Sequence, residues 1–318
     1  MESLYNNVVE AYARISENVV RTPIVEDTKL SEATGATVLL KCENLQHTGS
    51  FKFRGAMNTV LCLSNDEKTQ GVVTASTGNH GAAITRAGSS VGVVPVVYVP
   101  EGCSPTKLSA MKDAGADVVK VTGDAFAAES AARTAAKKAN QQYISPYNDE
   151  RVLAGQGTCG LEILDQCNDV DAVFVAVGGG GLISGIAGYL AKAAPHVEVV
   201  GCWPEVAPAM LRCIEAGKVI SVCEEETISD GTAGGVEPGT ITLEPCRTLI
   251  KRKVTVSEDA IKQAMRHAAN DLGMRIEGAA GVAIAAFEKV SGDYIGKTVA
   301  IVVCGGNIAD DKYLSIIS

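Results

Sequence analysis

The segment 48–54 reads TGSFKFR and sets one lysine, Lys52, between Phe51 and Phe53. A lysine in apolar company loses the hydration of its ammonium. Its pKa falls, and the free amine becomes a nucleophile toward an aldehyde. The same alternation also describes an exposed edge strand, and periodicity by itself favours that plainer reading. A second candidate is the run Gly178, Gly179, Gly180 and Gly181, between a hydrophobic stretch and a helical one. Glycines let the backbone approach an anion, and a helix N-terminus adds unpaired N–H groups and the positive end of its dipole. A phosphate is the natural guest, although a tight turn would use the same residues. A dinucleotide fingerprint is absent: G-x-G-x-x-G counted from Gly178, Gly179 or Gly180 ends on Ile183, Ser184 or Gly185, and the last of these puts Leu182 at the middle place. No Lys-Ser/Thr pair follows, so the P-loop pattern is absent too.

Two further motifs stand at element junctions. In STGNHG (76–81) the oxygens of Ser76, Thr77 and Asn79 crowd a helix start, with His80 beside them. Such residues are commonly helix caps, and they could equally cradle a carboxylate and touch a cofactor. CGGN (304–307) follows the last predicted strand, where open α/β sheets bind ligands, or is a plain turn. The most glycine-rich loop, 230–239 (DGTAGGVEPG), surrounds a ligand or a turn.

The elements that must position these residues alternate. Strands are expected at 71–76, 93–99, 116–122, 141–145, 171–177, 197–201, 254–256 and 299–303. Helices are expected at 80–89, 105–114, 125–140, 153–167 and 182–193. This alternation implies parallel sheets with helices on their faces. One series of βα units ends near Pro146 and another begins after the helix at 153–167, which gives two α/β domains with a cleft between them.

The bulk of the chain sets outer bounds. Its 318 residues suit one large or two modest domains, and 46% hydrophobic with 20% charged residues supplies a packed core. The formal charge of -9 argues against nucleic acid or an anionic membrane as partner. Ten cysteines occur with no CxxC pair, a poor match to a zinc site or a disulfide framework. The start MESLYNNVVEAYARI has no apolar run, so no secretory signal is expected, and no stretch is long enough to span a bilayer. Free thiols without an export signal point to the cytoplasm. After Asn307 too little chain remains for a regulatory domain.

Taken together and in order, K-C-E-N-L-Q-x-T-G-S-F-K-F-R-G-A, S-T-G-N-H-G, G-Q-G-T, G-G-G-G-L-I-S-G, E-G-A-A-G and C-G-G-N resemble the fold-type-II pyridoxal-phosphate family, in particular its serine/threonine dehydratases and serine racemases. The resemblance runs from Arg21-Thr22-Pro23 to Asn307. It implies an α/β, two-domain architecture, each domain a mostly parallel twisted sheet flanked by helices. A large cofactor domain would comprise 1–53 and 147–318, a small mobile domain 54–146, and the site would lie in the cleft. It implies pyridoxal 5'-phosphate bonded to Lys52, Phe51 along the ring, Asn79 on the ring oxygen, and Gly178 to Gly181 around the phosphate. Ser76, Thr77, Asn79 and His80 would surround the substrate carboxylate. Gly231 and Glu277 match positions that line the ring, and Gln156 stands behind the site. A homodimer is implied as well.

The implied reaction is loss of water and ammonia from a small β-hydroxy amino acid, with Lys52 taking the α-proton. Four departures bear on it. Racemases of the family carry Ser where this chain has Thr77, and dehydratases often carry Ala. The family's divalent-cation ligands correspond to Trp203, Ala207 and Ala209, which supply no oxygen side chains, so no metal is expected there. Cys304 replaces a Ser beside the pyridine nitrogen and is a weak donor. Tyr147 stands where relatives vary between Asn and Phe, near the substrate side chain or as packing at the domain junction. The substrate could be L-serine, L-threonine, or an analogue such as phenylserine or hydroxyaspartate. The runner-up reading is an amino-acid racemase with Lys52 and Thr77 as its two acid/bases. A carrier of the cofactor without turnover, and a nicotinamide oxidoreductase, fit the residues less well.

Overall fold

The computed structural model describes residues 2–318, without the side chains of Thr106 and Lys107. Ten strands are described: β1 (Ile24–Glu26), β2 (Thr37–Cys42), β3 (Val72–Ala75), β4 (Pro95–Pro100), β5 (Asp117–Val121), β6 (Gln142–Tyr143), β7 (Ala172–Ala176), β8 (Glu198–Pro204), β9 (Arg252–Val256) and β10 (Thr298–Val303). They form two sheets, a six-stranded one in the order β1-β2-β10-β7-β8-β9 and a four-stranded one in the order β5-β4-β3-β6. Every pairing is parallel except β1 with β2. Strand β7 (AVFVA) is buried throughout and β10 (TVAIVV) is buried from Val299 onward. Such continuous apolar runs belong to strands covered by helices on both faces. The predicted alternation of strand and helix is therefore present, with boundaries shifted by a few residues. The strand expected at 141–145 is the exception, because only two residues pair. Pro146 has no N–H to continue a ladder, and the Ile144 carbonyl accepts the Thr74 hydroxyl at 2.9 Å.

The reading of TGSFKFR as an edge strand does not hold. Ser50 makes a single bridge to Gly305, and Lys52 then opens the helix Lys52–Leu61. Residues 53–60 of that helix are all buried. The Phe-Lys-Phe alternation is too short to distinguish a period of 2 from one of 3.6, and burial on every side decided for the helix.

Arg54 fixes where that helix begins. Its guanidinium is fully buried and donates to Glu43 Oε2 at 2.7 Å and Oε1 at 2.8 Å, and to Glu162 Oε1 and Oε2 at 2.7 Å each. Lys41 is equally buried and donates to Glu162 Oε2 at 2.6 Å, to the Thr22 carbonyl and to Gln166. Two cations thus face two anions without water. The helix Lys52–Leu61 is thereby locked to β2, to Glu43 just after it, and to the helix Glu150–Gln166. Although burial pushes Glu43 up, the Arg54 guanidinium and Lys41 hold it below the ordinary carboxylate value. Replacing Arg54 by Leu leaves the buried Glu43 carboxylate without its paired cation and Glu162 with Lys41 alone. Arg54→Leu is expected to cost about 3–5 kcal/mol in urea unfolding, and a loss below about 1 kcal/mol would contradict the cluster's role.

Candidate active site

Both sheets aim the carboxyl ends of their strands at one cavity of ≈ 490 Å³. This is where open α/β sheets place ligands. Strand β3 runs through Ser76, Thr77 and Gly78 into the helix Asn79–Ser90, and β7 runs through 178–180 into the helix Gly181–Ala193. Strand β10 delivers Cys304. All the residues read from sequence as cofactor or substrate contacts lie on its wall: Phe51, Lys52, Ser76, Thr77, Asn79, His80, Tyr147, Gly178, Gly179, Gly180, Gly181, Gly231, Glu277 and Cys304. Gln156 does not. It is buried behind the wall and accepts the Gly55 N–H at 3.2 Å, which steadies the helix that carries Lys52.

Lys52 Nζ rests 2.9 Å from the Pro146 carbonyl and 5.1 Å from the centroid of the Phe51 ring. Burial lowers its pKa to about 8, against smaller upward pulls from Cys304 and Glu277. An amine of this kind is partly unprotonated near neutral pH. The Cys304 thiol beside it is pushed well above its ordinary value, chiefly by burial. Glu277 is also raised by burial, and hydrogen bonds from Asn79 and the Asn307 N–H offset part of that.

Asn79 Nδ2 donates to both Glu277 oxygens at 3.0 Å, and Asn79 Oδ1 accepts from Asn307 Nδ2 at 2.7 Å. The amide orientation is therefore fixed. Gly231 brings its backbone against this cluster: a Cβ there would stand 3.3 Å from Glu277 Oε1. His80 Nε2 lies 3.1 Å from the Ile144 carbonyl. A carbonyl only accepts, so Nε2 carries the proton. Burial, and then Lys52, push the imidazole down to about 3, so it is neutral and Nδ1 is a bare acceptor. What a carboxylate can use here is the backbone. The helix Asn79–Ser90 starts from Gly78 with no side-chain cap, which leaves its first N–H groups open.

The glycine run repeats this arrangement on the other sheet. Gly180 has φ of 84°, in the left-handed region that favours glycine, and precedes the helix Gly181–Ala193 with no side-chain cap. A Cβ on Gly179 would enter the Tyr147 ring. Tyr147 thus serves both of its readings: it lines the cavity and packs at the junction, its hydroxyl accepting the Glu237 N–H at 2.9 Å. Burial raises that phenol to about 12, so it is neutral.

A model of the family described as "Pyridoxal-phosphate dependent enzyme" matches residues 15–305. The chain belongs to this family. It is 38% identical over 316 residues to an L-threonine ammonia-lyase of Geobacter sulfurreducens, covering 98% of this chain and 77% of that protein. It is 33% identical over 307 residues to a serine racemase of Arabidopsis thaliana, covering 95% and 92%. Its fold matches the processed form of threonine deaminase isoform 2 from Solanum lycopersicum with a TM-score of 0.94 at 31% identity, covering 99% and 92%. The parallel sheets flanked by helices are those of the fold-type-II pyridoxal-phosphate enzymes.

In this pyridoxal-phosphate dependent enzyme, Trp203, Ala207 and Ala209 are buried and apolar. Nearby Glu205 pairs with Lys289 at 3.2 Å. Sequence reading passed over Asn307, which bonds Asn79, the Thr48 carbonyl and, through its N–H, Glu277; the CGGN motif was its signal. It also passed over Glu237, which lies in the glycine-rich loop 230–239, and Thr242, for which no motif speaks. In the chain freed of cofactor, the rate of Lys52 modification by trinitrobenzenesulfonate, with Lys52→Ala as blank, is expected to reach half its maximum near pH 8. An inflection at an ordinary lysine value would contradict an enclosed amine.

Proposed function

We propose that the chain is a pyridoxal-phosphate ammonia-lyase that removes water and ammonia from a small β-hydroxy amino acid, L-serine, L-threonine or a β-substituted analogue, to give a 2-oxo acid. The observation that carries this reading is the enclosed amine of Lys52, lowered to about 8, on a cavity walled by two uncapped helix N-termini. The residues fit the cofactor because the glycine run leaves N–H groups open where any Cβ would collide. When bound, pyridoxal phosphate withdraws electrons from the substrate's α-carbon.

The chain's own groups do the rest. Lys52 would hold the cofactor, and its amine, when free, would take the substrate's α-proton. Gly178, Gly179, Gly180 and Gly181 hold the phosphate. Phe51 lies along the ring, and Glu277 and Gly231 line it. Asn79 meets the ring oxygen. Ser76, Thr77, Asn79 and the backbone at His80 hold the substrate carboxylate. Cys304, kept as a neutral thiol, leaves the ring nitrogen without a full proton, which favours prompt elimination over longer-lived carbanion chemistry. Tyr147 faces the substrate side chain. Of residues 54–146, the part that follows the helix Lys52–Leu61 forms the mobile unit, because Arg54 locks that helix to β2 and to the helix Glu150–Gln166; 1–53 with 147–318 form the cofactor unit. Trp203, Ala207 and Ala209 offer a divalent cation no oxygen side chain.

A second reading, racemisation, rests on Thr77, whose residue shares the cavity wall with Lys52. We further propose a cytoplasmic homodimer. All ten cysteines are free thiols, which suits a reducing compartment, and the dimer is implied by resemblance. No helix among the described residues is long and apolar enough to cross a membrane.

With pyridoxal phosphate bound and a chelator present, 2-oxo acid release from a panel of D- and L-β-hydroxy amino acids is expected to be fast for at least one member. Release from none would sink the elimination reading and favour enantiomer exchange, which Thr77→Ala should then abolish. Lys52→Ala is expected to lose bound-cofactor colour and turnover together, and normal turnover in that variant would remove Lys52 from the mechanism.

A further inference from the structure

The back of the glycine run is held by a residue that never touches the cavity. Thr242 is fully buried, and its Oγ1 lies 2.7 Å from the Gly179 carbonyl. A carbonyl only accepts, so the Thr242 hydroxyl donates to it. Thr240 Oγ1 lies 2.7 Å from Thr242 Oγ1 and 3.3 Å from the Thr242 N–H. With the Thr242 proton already committed, the Thr240 hydroxyl must donate to Thr242 Oγ1. The hydrogen positions follow one direction: Thr242 N–H to Thr240 Oγ1, Thr240 O–H to Thr242 Oγ1, Thr242 O–H to Gly179 O.

This direction has a consequence on the opposite side of the loop. No peptide among the described residues is cis, so in the Gly179–Gly180 peptide the C=O and N–H point in opposite directions. Gly178, Gly179, Gly180 and Gly181 line the cavity, whereas Thr242 does not. The carbonyl is drawn to the buried side, and the Gly180 N–H is thereby turned toward the cavity. Gly180 lies flat on the same support: a Cβ there would meet Cys246 Sγ at 2.7 Å and Thr242 Cβ at 3.2 Å.

We propose that Thr242 is a positioning residue for phosphate binding: its hydroxyl anchors the Gly179 carbonyl and so presents the Gly180 N–H to the cofactor's phosphate. This rests on the reading of the glycine run as the phosphate cradle. The role is specific to the phosphate, because Thr242 has no contact with the lysine, the ring contacts or the carboxylate site. Without the hydroxyl the Gly179 carbonyl loses a buried partner, and the peptide is free to rotate its N–H out of the cavity.

The test titrates the full-length chain, stripped of cofactor, with pyridoxal phosphate and separately with pyridoxal, which lacks the phosphate. Binding is read by the absorbance of the Lys52-bound chromophore. Thr242→Val is expected to weaken pyridoxal phosphate roughly tenfold and to leave pyridoxal unchanged. Thr242→Ser, which keeps the donor, is expected to restore the wild-type ratio. Thr242→Ala makes the same comparison without a new methyl contact should the Val variant not fold, and the thermal midpoint of each cofactor-free variant checks its integrity. Equal weakening of both ligands, or failure of Ser to rescue, would overturn the positioning role in favour of plain packing. Wild-type protein that binds pyridoxal as tightly as its phosphate would overturn the cradle itself, a separate outcome visible before any variant is made.

Discussion

Arg54 and Lys41 are cations without solvent, and Glu43 and Glu162 are the anions that answer them. Taking four charges out of water has a large cost, which their mutual attraction recovers only when every donor and acceptor is met. Such a cluster is a poor source of net stability and a strict source of geometry. It tolerates a single arrangement of β2, of the helix Lys52–Leu61 and of the helix Glu150–Gln166. Lys52 stands two residues before Arg54, so the reactive amine inherits its position from a charge network that it does not touch. The rest of the cavity is then built against a fixed point.

Against that fixed point the fold sets two helix N-termini, one from each sheet. Neither has a side-chain cap. Uncapped ends are normally a defect that water or a polar side chain repairs. Two of them on one enclosed wall form paired sites for anions. A cofactor phosphate and a substrate carboxylate are the two anions that the proposed chemistry brings. The neutral state of His80 and Tyr147 fits the same pattern, since the backbone supplies the positive potential and the neighbouring side chains add no competing charge.

The parts of this arrangement that were legible in the sequence are those whose residue types are unusual for their surroundings. Four glycines between a strand and a helix, and STGNHG at a second such junction, also serve turns and helix caps, but in order with the other motifs they marked a site, and both line the cavity. The βα alternation was legible because buried parallel strands are continuous apolar runs. The helix at Lys52 was not, because the Phe-Lys-Phe alternation that opens it is too short to tell a strand period from a helical one. The charge cluster escaped as well. Lys41, Glu43, Arg54 and Glu162 look like ordinary surface residues until the fold brings them together across up to 121 positions. Glu237 and Thr242 act through hydrogen bonds whose far ends lie elsewhere in the chain, and such bonds leave no pattern along it.

Strand order carries one further consequence. In the six-stranded sheet β10 lies between β2 and β7, pairing with Thr37–Cys42 on one side and with β7 on the other. It is also the last of the ten described strands to leave the ribosome. Until residue 303 has been made, β1 and β2 have no route into the larger sheet, and β7 to β9 present an open edge. The four-stranded sheet spans only residues 72–143 and has all its partners early. The nascent chain can therefore complete its smaller sheet during synthesis, while the larger one waits as two unmatched pieces with apolar faces uncovered. That interval, rather than the finished protein, is when this chain is most exposed to aggregation and most dependent on chaperones.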